Sequence, residues 1–196
     1  MEKSKNLSVV ILAAGKASRF GKAKQLLEIQ GQTLLELSIK KALTISDDVN
    51  VILGSYADLC IEKIKDFNIK YHINKEFESG MASSLKLGIS KVENNKDILV
   101  MLCDMPLVPL THYESLVKVY SNNKNKIVCS KYKDKFLVPA IFPNKYFDLF
   151  KKLSGDKGAK NILKEYDKDY VILEDKYAID IDTKEDFDRI LATKCC

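Results

Sequence analysis

Apolar residues along the chain fall into short runs rich in valine and isoleucine, at residues 8–14, 50–53, 68–72, 97–103, 126–129 and 137–142. Runs of this length, bounded by polar and turn-forming residues, read as strands buried on both faces. Between the early runs, at residues 33–43, 56–67 and 79–92, apolar positions recur every three or four residues, as in helices with one buried face. Strands alternating with helices predict a parallel sheet with right-handed helical crossovers. After residue 104 the order changes. A helix at 111–120 leads into a hairpin turning at 132–135, then helices at 144–153 and 157–166, short strands at 170–173 and 178–181, and a last helix at 184–192. No internal repeat or long linker interrupts the pattern, so the expected fold is a single α/β domain, 1–196, with a mostly parallel mixed sheet.

The 196 residues suffice for one domain, and 46% hydrophobic residues fill a core without metal or disulfide staples. The longest uncharged apolar run near the start spans residues 7–14, far below the roughly 20 residues of a membrane span. Five cysteines, odd in number and without C-x-x-C spacing, read as free thiols of a reducing cytosol. A net charge of +5 suits anionic small molecules and makes no case for nucleic acid or a membrane as partner. Only Arg19 and Arg189 are arginines among the 32 basic residues, which draws attention to where they stand.

Arg19 stands in G-K-A-S-R-F-G-K-A-K-Q, residues 15–25, directly after the first strand. In open α/β sheets ligands bind at the carboxyl ends of strands. Gly15 is expected to let the backbone turn sharply and approach a phosphate, while Lys16, Arg19, Lys22 and Lys24 bring four positive charges into nine residues. A polyphosphate is the natural partner. The loop is no P-loop, because five residues separate Gly15 from Gly21 and Ala23 stands where a hydroxyl would hold magnesium; nor is it G-x-G-x-x-G.

Asp104 ends another predicted strand, which Pro106 terminates, and Asp180 and Asp182 flank Ile181 before the last helix. Read as structure, Asp104 is a turn residue and Asp182 or Thr183 a helix cap. Read as chemistry, alternation on a strand places Asp180 and Asp182 on one face, where they could meet Asp104 across magnesium. Residues 80–85, Gly-Met-Ala-Ser-Ser-Leu, read either as a helix start offering N–H groups to an anion or base edge, or as capping by Ser79 or Ser83. His72, His112 and the buried thiol of Cys103 read as structural.

L-A-A-G-K-A-S-R-F-G-K-A-K-Q-L-L at 12–27 resembles the loop signature of MobA-like nucleotidyltransferases, above all the molybdenum cofactor cytidylyltransferases. The resemblance continues through N-x-x-F-x-x-G-M-A-S-S-L at 74–85, C-D-M-P at 103–106, L-S-G-D-K-G-A-K at 153–160 and D-I-D-T-K-E-D at 180–186. It implies a Rossmann-like three-layer α/β/α fold, with a nucleotide-binding half to about residue 106 and an acceptor-binding half beyond it. It also implies magnesium-dependent transfer of a nucleoside monophosphate, CMP from CTP, to the terminal phosphate of molybdopterin in the cytoplasm. Leu12, Ala13, Ala14, Gly15, Arg19, Lys24, Gly80 and Ser84 would bind the nucleotide; Arg19, Lys24 and Asp104 would be catalytic; Asp104, Asp180 and Asp182 would hold the metal. Guanylyl transfer, for which the related loop reads L-A-G-G, sugar-phosphate nucleotidyl transfer and a catalytically inactive nucleotide-binding module are the alternatives. Ala17 replaces the family's loop serine, and residues 136–139, Phe-Leu-Val-Pro, stand where Gly-His-Pro is common.

Overall fold

The computed structural model describes residues 3–16, 23–156 and 158–194. Seven strands form one sheet in the order β5-β4-β1-β6-β8-β7-β9: β1 (Leu7–Ala13), β4 (Val49–Leu53), β5 (Lys70–Ile73), β6 (Asp97–Leu102), β7 (Ile127–Tyr132), β8 (Lys135–Phe142) and β9 (Lys168–Ile172). Only β8 runs against the rest; it pairs antiparallel with β6 and β7, while β9 returns parallel to β7. The predicted mixed α/β sheet and the hairpin before β8 are therefore present.

Alternate residues of the central strands feed two apolar layers, as the period of a strand requires. Val9, Ile11, Leu99 and Met101 face α1 (Leu34–Ile45), α2 (Ala57–Ile64), α4 (Leu110–Asn122) and α7 (Lys184–Lys194). Val10, Leu12, Ile98 and Val100 face α3 (Met81–Ser90), α5 (Phe147–Lys151) and α6 (Lys160–Glu165). The result is the expected three-layer sandwich.

Four segments differ from the sequence pattern. Residues 28–33 form a small hairpin, β2 (Glu28–Ile29) and β3 (Gln32–Thr33), around Gln30 and Gly31, both at positive φ. Thr33 then caps α1 reciprocally with Glu36. The helix expected at 144–153 is a 3-10 turn followed by five helical residues, and that at 157–166 shortens to α6. No strand forms at 178–181. Ile181 gives its N–H to the carbonyl of Asp104 (3.0 Å), so the segment meets β6 at its end instead of pairing alongside it.

The two halves of the chain interlock at Gly80, the residue before α3. Its φ is 102°, in the region L side chains avoid, and a Cβ there would lie 2.3 Å from the carbonyl carbon of Gly155. The Gly155 carbonyl accepts the N–H of Ala82, one of the first donors of α3 (3.1 Å). Gly80→Ala is expected to destabilise the protein by about 2 kcal/mol or more in urea unfolding. Gly15→Ala, whose new methyl meets nothing within 4 Å, should unfold like the parent.

Candidate functional site

Adjacent parallel strands assemble the site. β1 and β6 pair in register to Leu12 and Leu102, and the N–H of Cys103 donates to the Leu12 carbonyl (3.2 Å). The glycine segment leaving β1 and Asp104 leaving β6 thus emerge side by side at the carboxyl end of the sheet. Lys41 of α1 holds the turn after Asp104, donating to the carbonyls of Pro106 and Val108, each at 2.7 Å. The Ile181 bond to Asp104 brings in the third segment, with Ile181 buried between outward-facing Asp180 and Asp182. The predicted alternation of side chains is present; the strand that was to carry it is not.

Two cavities meet at Asp104. One, of about 310 Å³, is lined by Ala14, Gly15, Lys16, Gly80 and Ser84. The other, of about 390 Å³, has an apolar wall including Leu85, Leu137 and Val138, and polar groups from Tyr132, Lys135, Lys160, Asp180 and Asp182. Leu12, Met81, Leu102, Asp104 and Asp156 border both. A third space, about 80 Å³, lies behind the loop between Ala13, Gly15, Lys24, Gln25 and Asp104.

Of the residues singled out in the sequence, Leu12, Ala14, Gly15, Gly80, Ser84, Lys24, Asp104, Asp180 and Asp182 all line these spaces, and Ala13 lines the smallest. Arg19, with Ala17 and Lys22, lies outside the described residues, as does Lys157. Gly15 does not adopt a positive φ, and the space beside it is open, so its missing side chain leaves room there. Ser83 and Ser79 do not cap α3. Their hydroxyls donate to the carbonyl of Glu76, Ser83's also to that of Gly80, while Ser84 accepts from Asn74 (2.9 Å). Thr183 caps α7 through Asp186, which leaves Asp182 free to receive Lys24 Nζ at 2.7 Å.

Burial pushes the Asp104 carboxyl up to about 6, and nearby Asp180 adds to the rise; Lys24 opposes it and Asp182 reinforces it. Asp180 is raised as well, through burial and Asp182. Asp104 Oδ1 is buried without a hydrogen-bond partner among the described residues, and the one other such side-chain atom is Gln25 Oε1. Both residues line the 80 Å³ space, and each of these oxygens can accept a hydrogen bond or meet a cation. The three aspartates do not close into a cage: among the described residues no three acidic, histidine or cysteine side chains gather as a preformed metal site. The expected meeting of all three across a metal is thus absent, with Lys24 standing at Asp182 instead. Magnesium commonly takes only one or two carboxylates and completes its shell with water and phosphate, so Asp104 with one neighbour fits such an ion.

His72 and His112 stand apart from the cleft. His72 Nε2 meets Asn50 Oδ1 (3.0 Å), and buried His112, its pKa pushed down to about 4 by desolvation, meets Ser130 Oγ (2.8 Å). Burial raises the Cys103 thiol well above its usual range, keeping it unreactive. Gln25 and Asp156 are site residues that the pattern of charge did not reveal. Both stand inside motifs that carry the family resemblance, Gln25 in Lys-Gln-Leu-Leu and Asp156 in Leu-Ser-Gly-Asp-Lys-Gly-Ala-Lys, and neither was singled out there as a site residue.

A mostly parallel sheet with paired cavities at its carboxyl end and a carboxylate between them defines an α/β nucleotidyltransferase. The model of the MobA-like NTP transferase domain matches residues 9–170, and the chain belongs to that family. Purine catabolism protein PucB of Bacillus subtilis (strain 168) is 29% identical over 195 residues, covering 92% of this chain and 94% of PucB. A protein of Thermococcus sibiricus named probable molybdenum cofactor guanylyltransferase is 25% identical over 150 residues, covering 73% of this chain and 72% of its own length. The crystal structure of Rv0371c from Mycobacterium tuberculosis H37Rv superposes with a TM-score of 0.86 at 25% identity, over 98% of this chain and all of that one (100%). No helix among the described residues is long and apolar enough to cross a membrane.

The raised pKa of Asp104 has a measurable sign. Its folded value, about 6, lies above the ordinary 3.8, so the fold loses stability as pH climbs from about 4 to about 6 and the carboxyl ionises. In chelator, Asp104→Asn should be more stable than the parent by on the order of 2 kcal/mol above pH 7. That advantage should vanish near pH 4. Thermal unfolding of both proteins across pH checks it; an advantage independent of pH would contradict the assignment.

Proposed function

We propose that this protein transfers CMP from CTP to the terminal phosphate of a molybdopterin-type acceptor and releases pyrophosphate. The observation that carries the reading is the pair of cavities joined at Asp104: a donor on the glycine and α3 side, an acceptor on the Leu137 and Lys160 side, and the reacting phosphates at the border. The donor cavity is lined mostly by residues before 106, and the acceptor cavity draws on both halves of the chain.

The acceptor's phosphate monoester has a second pKa of about 6 and arrives ionised at neutral pH, so attack on the α-phosphorus needs no general base. Both histidines being elsewhere agrees with that. Lys24, released from Asp182, and Arg19 would neutralise charge on the α-phosphate and the departing pyrophosphate. Asp104, with Asp180 or Asp182, would hold magnesium, which when bound supplies further positive charge at the same phosphates. Lys135 and Lys160, at the edge of the apolar pocket, would orient the acceptor's phosphate.

Cytosine is favoured by Ala14. Gly54 lies so close to it that a Cβ on Gly54 would be 2.9 Å from the Ala14 methyl and 2.7 Å from Phe77 Cβ, so the wall beside the donor cavity is full. A glycine at position 14 would leave that space open to a larger base. The guanylyl reading has the Thermococcus sibiricus relative on its side. With magnesium present, CTP should raise the melting temperature more than GTP, since tighter ligands stabilise more. Pyrophosphate release with molybdopterin and each of the common nucleoside triphosphates decides it; a larger shift and faster release with GTP would move the assignment to guanylyl transfer.

Arg19→Lys retains charge and loses the planar two-pronged grip on phosphate oxygens. It is expected to lower kcat/KM about tenfold or more, with stability changed by no more than about 0.5 kcal/mol. Steady-state kinetics beside a thermal unfolding curve tests this, and an unchanged kcat/KM removes Arg19 from the reaction.

A further inference from the structure

Gln25 lies in the 3-10 turn Lys24–Leu26 and is only 3% exposed. Its Nε2 donates to the carbonyl of Ala13 at 2.6 Å and to that of Gly15 at 3.1 Å. Both partners are pure acceptors, so the nitrogen must face them and Oε1 must face away. The intervening carbonyl, that of Ala14, lies on the other side, against Gly54, where an added Cβ would meet it at 2.6 Å. The chain therefore runs extended out of β1, with alternate carbonyls pinned to one side chain.

In a trans peptide the N–H of the following residue points opposite to the carbonyl. Turning the Gly15 carbonyl to Gln25 turns the Lys16 N–H away from Gln25. Gln25 and Gly15 line the small space, and Ala14, Gly15 and Lys16 line the donor cavity. The other end of the same side chain, Oε1, is buried without a hydrogen-bond partner among the described residues, as is Asp104 Oδ1.

We propose that Gln25 is a positioning residue for nucleotidyl transfer, locking the backbone of residues 13–16 so that the Lys16 N–H grips the donor's triphosphate. This rests on the nucleotidyltransferase reading of the site and is independent of which base or acceptor is used. A lysine-only grip would depend on charge alone; a fixed main-chain donor adds direction at no cost in reorganisation.

Calorimetry of inorganic triphosphate binding to the full chain tests it without a base. Gln25→Met, similar in length and lacking the donor, is expected to bind at least about tenfold more weakly than the parent. The KM for the nucleoside triphosphate should rise by a similar factor, with the acceptor's KM changed by less than about twofold. Val117→Ala, in α4 and bordering none of the three cavities, serves as the control for general destabilisation and should leave triphosphate affinity unchanged. Gln25→Asn, too short to reach both carbonyls, is the second variant. In the parent protein the Lys16 amide signal should shift strongly in a nitrogen-proton NMR titration with triphosphate, whether or not either variant folds. Affinity within about twofold of the parent in a folded variant, a matching loss in Val117→Ala, an unmoved Lys16 amide, or no triphosphate binding by the parent would each overturn the proposal. If GTP proves the donor instead of CTP, the base assignment fails while these comparisons stand.

Discussion

One buried carboxyl, Asp104, beside two more exposed ones governs this site. Asp104, Asp180 and Asp182 come from two segments that one backbone hydrogen bond, from Ile181 to Asp104, fastens together. Burial makes ionising Asp104 unfavourable, and the neighbouring carboxylates, Asp180 first, add to the rise. Lys24 supplies the counter-charge, bonding to Asp182 and pulling the Asp104 carboxyl back down.

The second dependence is geometric. The start of α3 and the loop before α6 both line the cleft, and the two touch at atomic distance. Gly155 covers Gly80 and takes the Ala82 N–H, while a Cβ on Gly158 would lie 2.6 Å from Met81 Sδ. Neither side can shift far without the other. Asp156, bordering both cavities, sits on this joint. Substrates that must meet in line are better served by one rigid wall than by two that drift, because misplacement of about 1 Å is costly in rate.

The sheet was legible because buried strands and amphipathic helices follow from local periodicity, and most of the predicted strands and helices lie within a few residues of their expected bounds. Residues 178–181 defeat that reasoning. Their apolar and acidic alternation is satisfied by a loop whose one amide bond goes to Asp104, and no periodicity separates a loop with an alternating face from a strand. The small hairpin at 28–33 escaped for the opposite reason: two residues per strand carry no period, and only the Gln-Gly pair marked it. At the site, the described motif residues line the cavities, whereas the expected reasons for some do not hold. Gly15 leaves open space without a positive φ, and the hydroxyls after Gly80 hold Glu76 and Asn74 instead of capping. Gln25 shows why charge counting misses half of a site: its work is to hold two carbonyls, which needs no charge.

Magnitudes explain how the fold tolerates a site that works against it. The cost of burying Asp104 is on the order of 2 kcal/mol, set by the rise of its pKa. A fully buried valine, leucine or isoleucine contributes roughly 1.5–3 kcal/mol. Val9, Val10, Ile11, Ile98, Leu99 and Val100, all at 0% exposure on β1 and β6, therefore outweigh that cost several times over within the two strands that deliver the loop and the carboxylate. The same pairing that brings the two ends together supplies the stability that burying Asp104 consumes. Weakening these strands and altering the cleft are consequently separable, since the apolar residues lie along the strands and the reactive groups begin where the ladder ends.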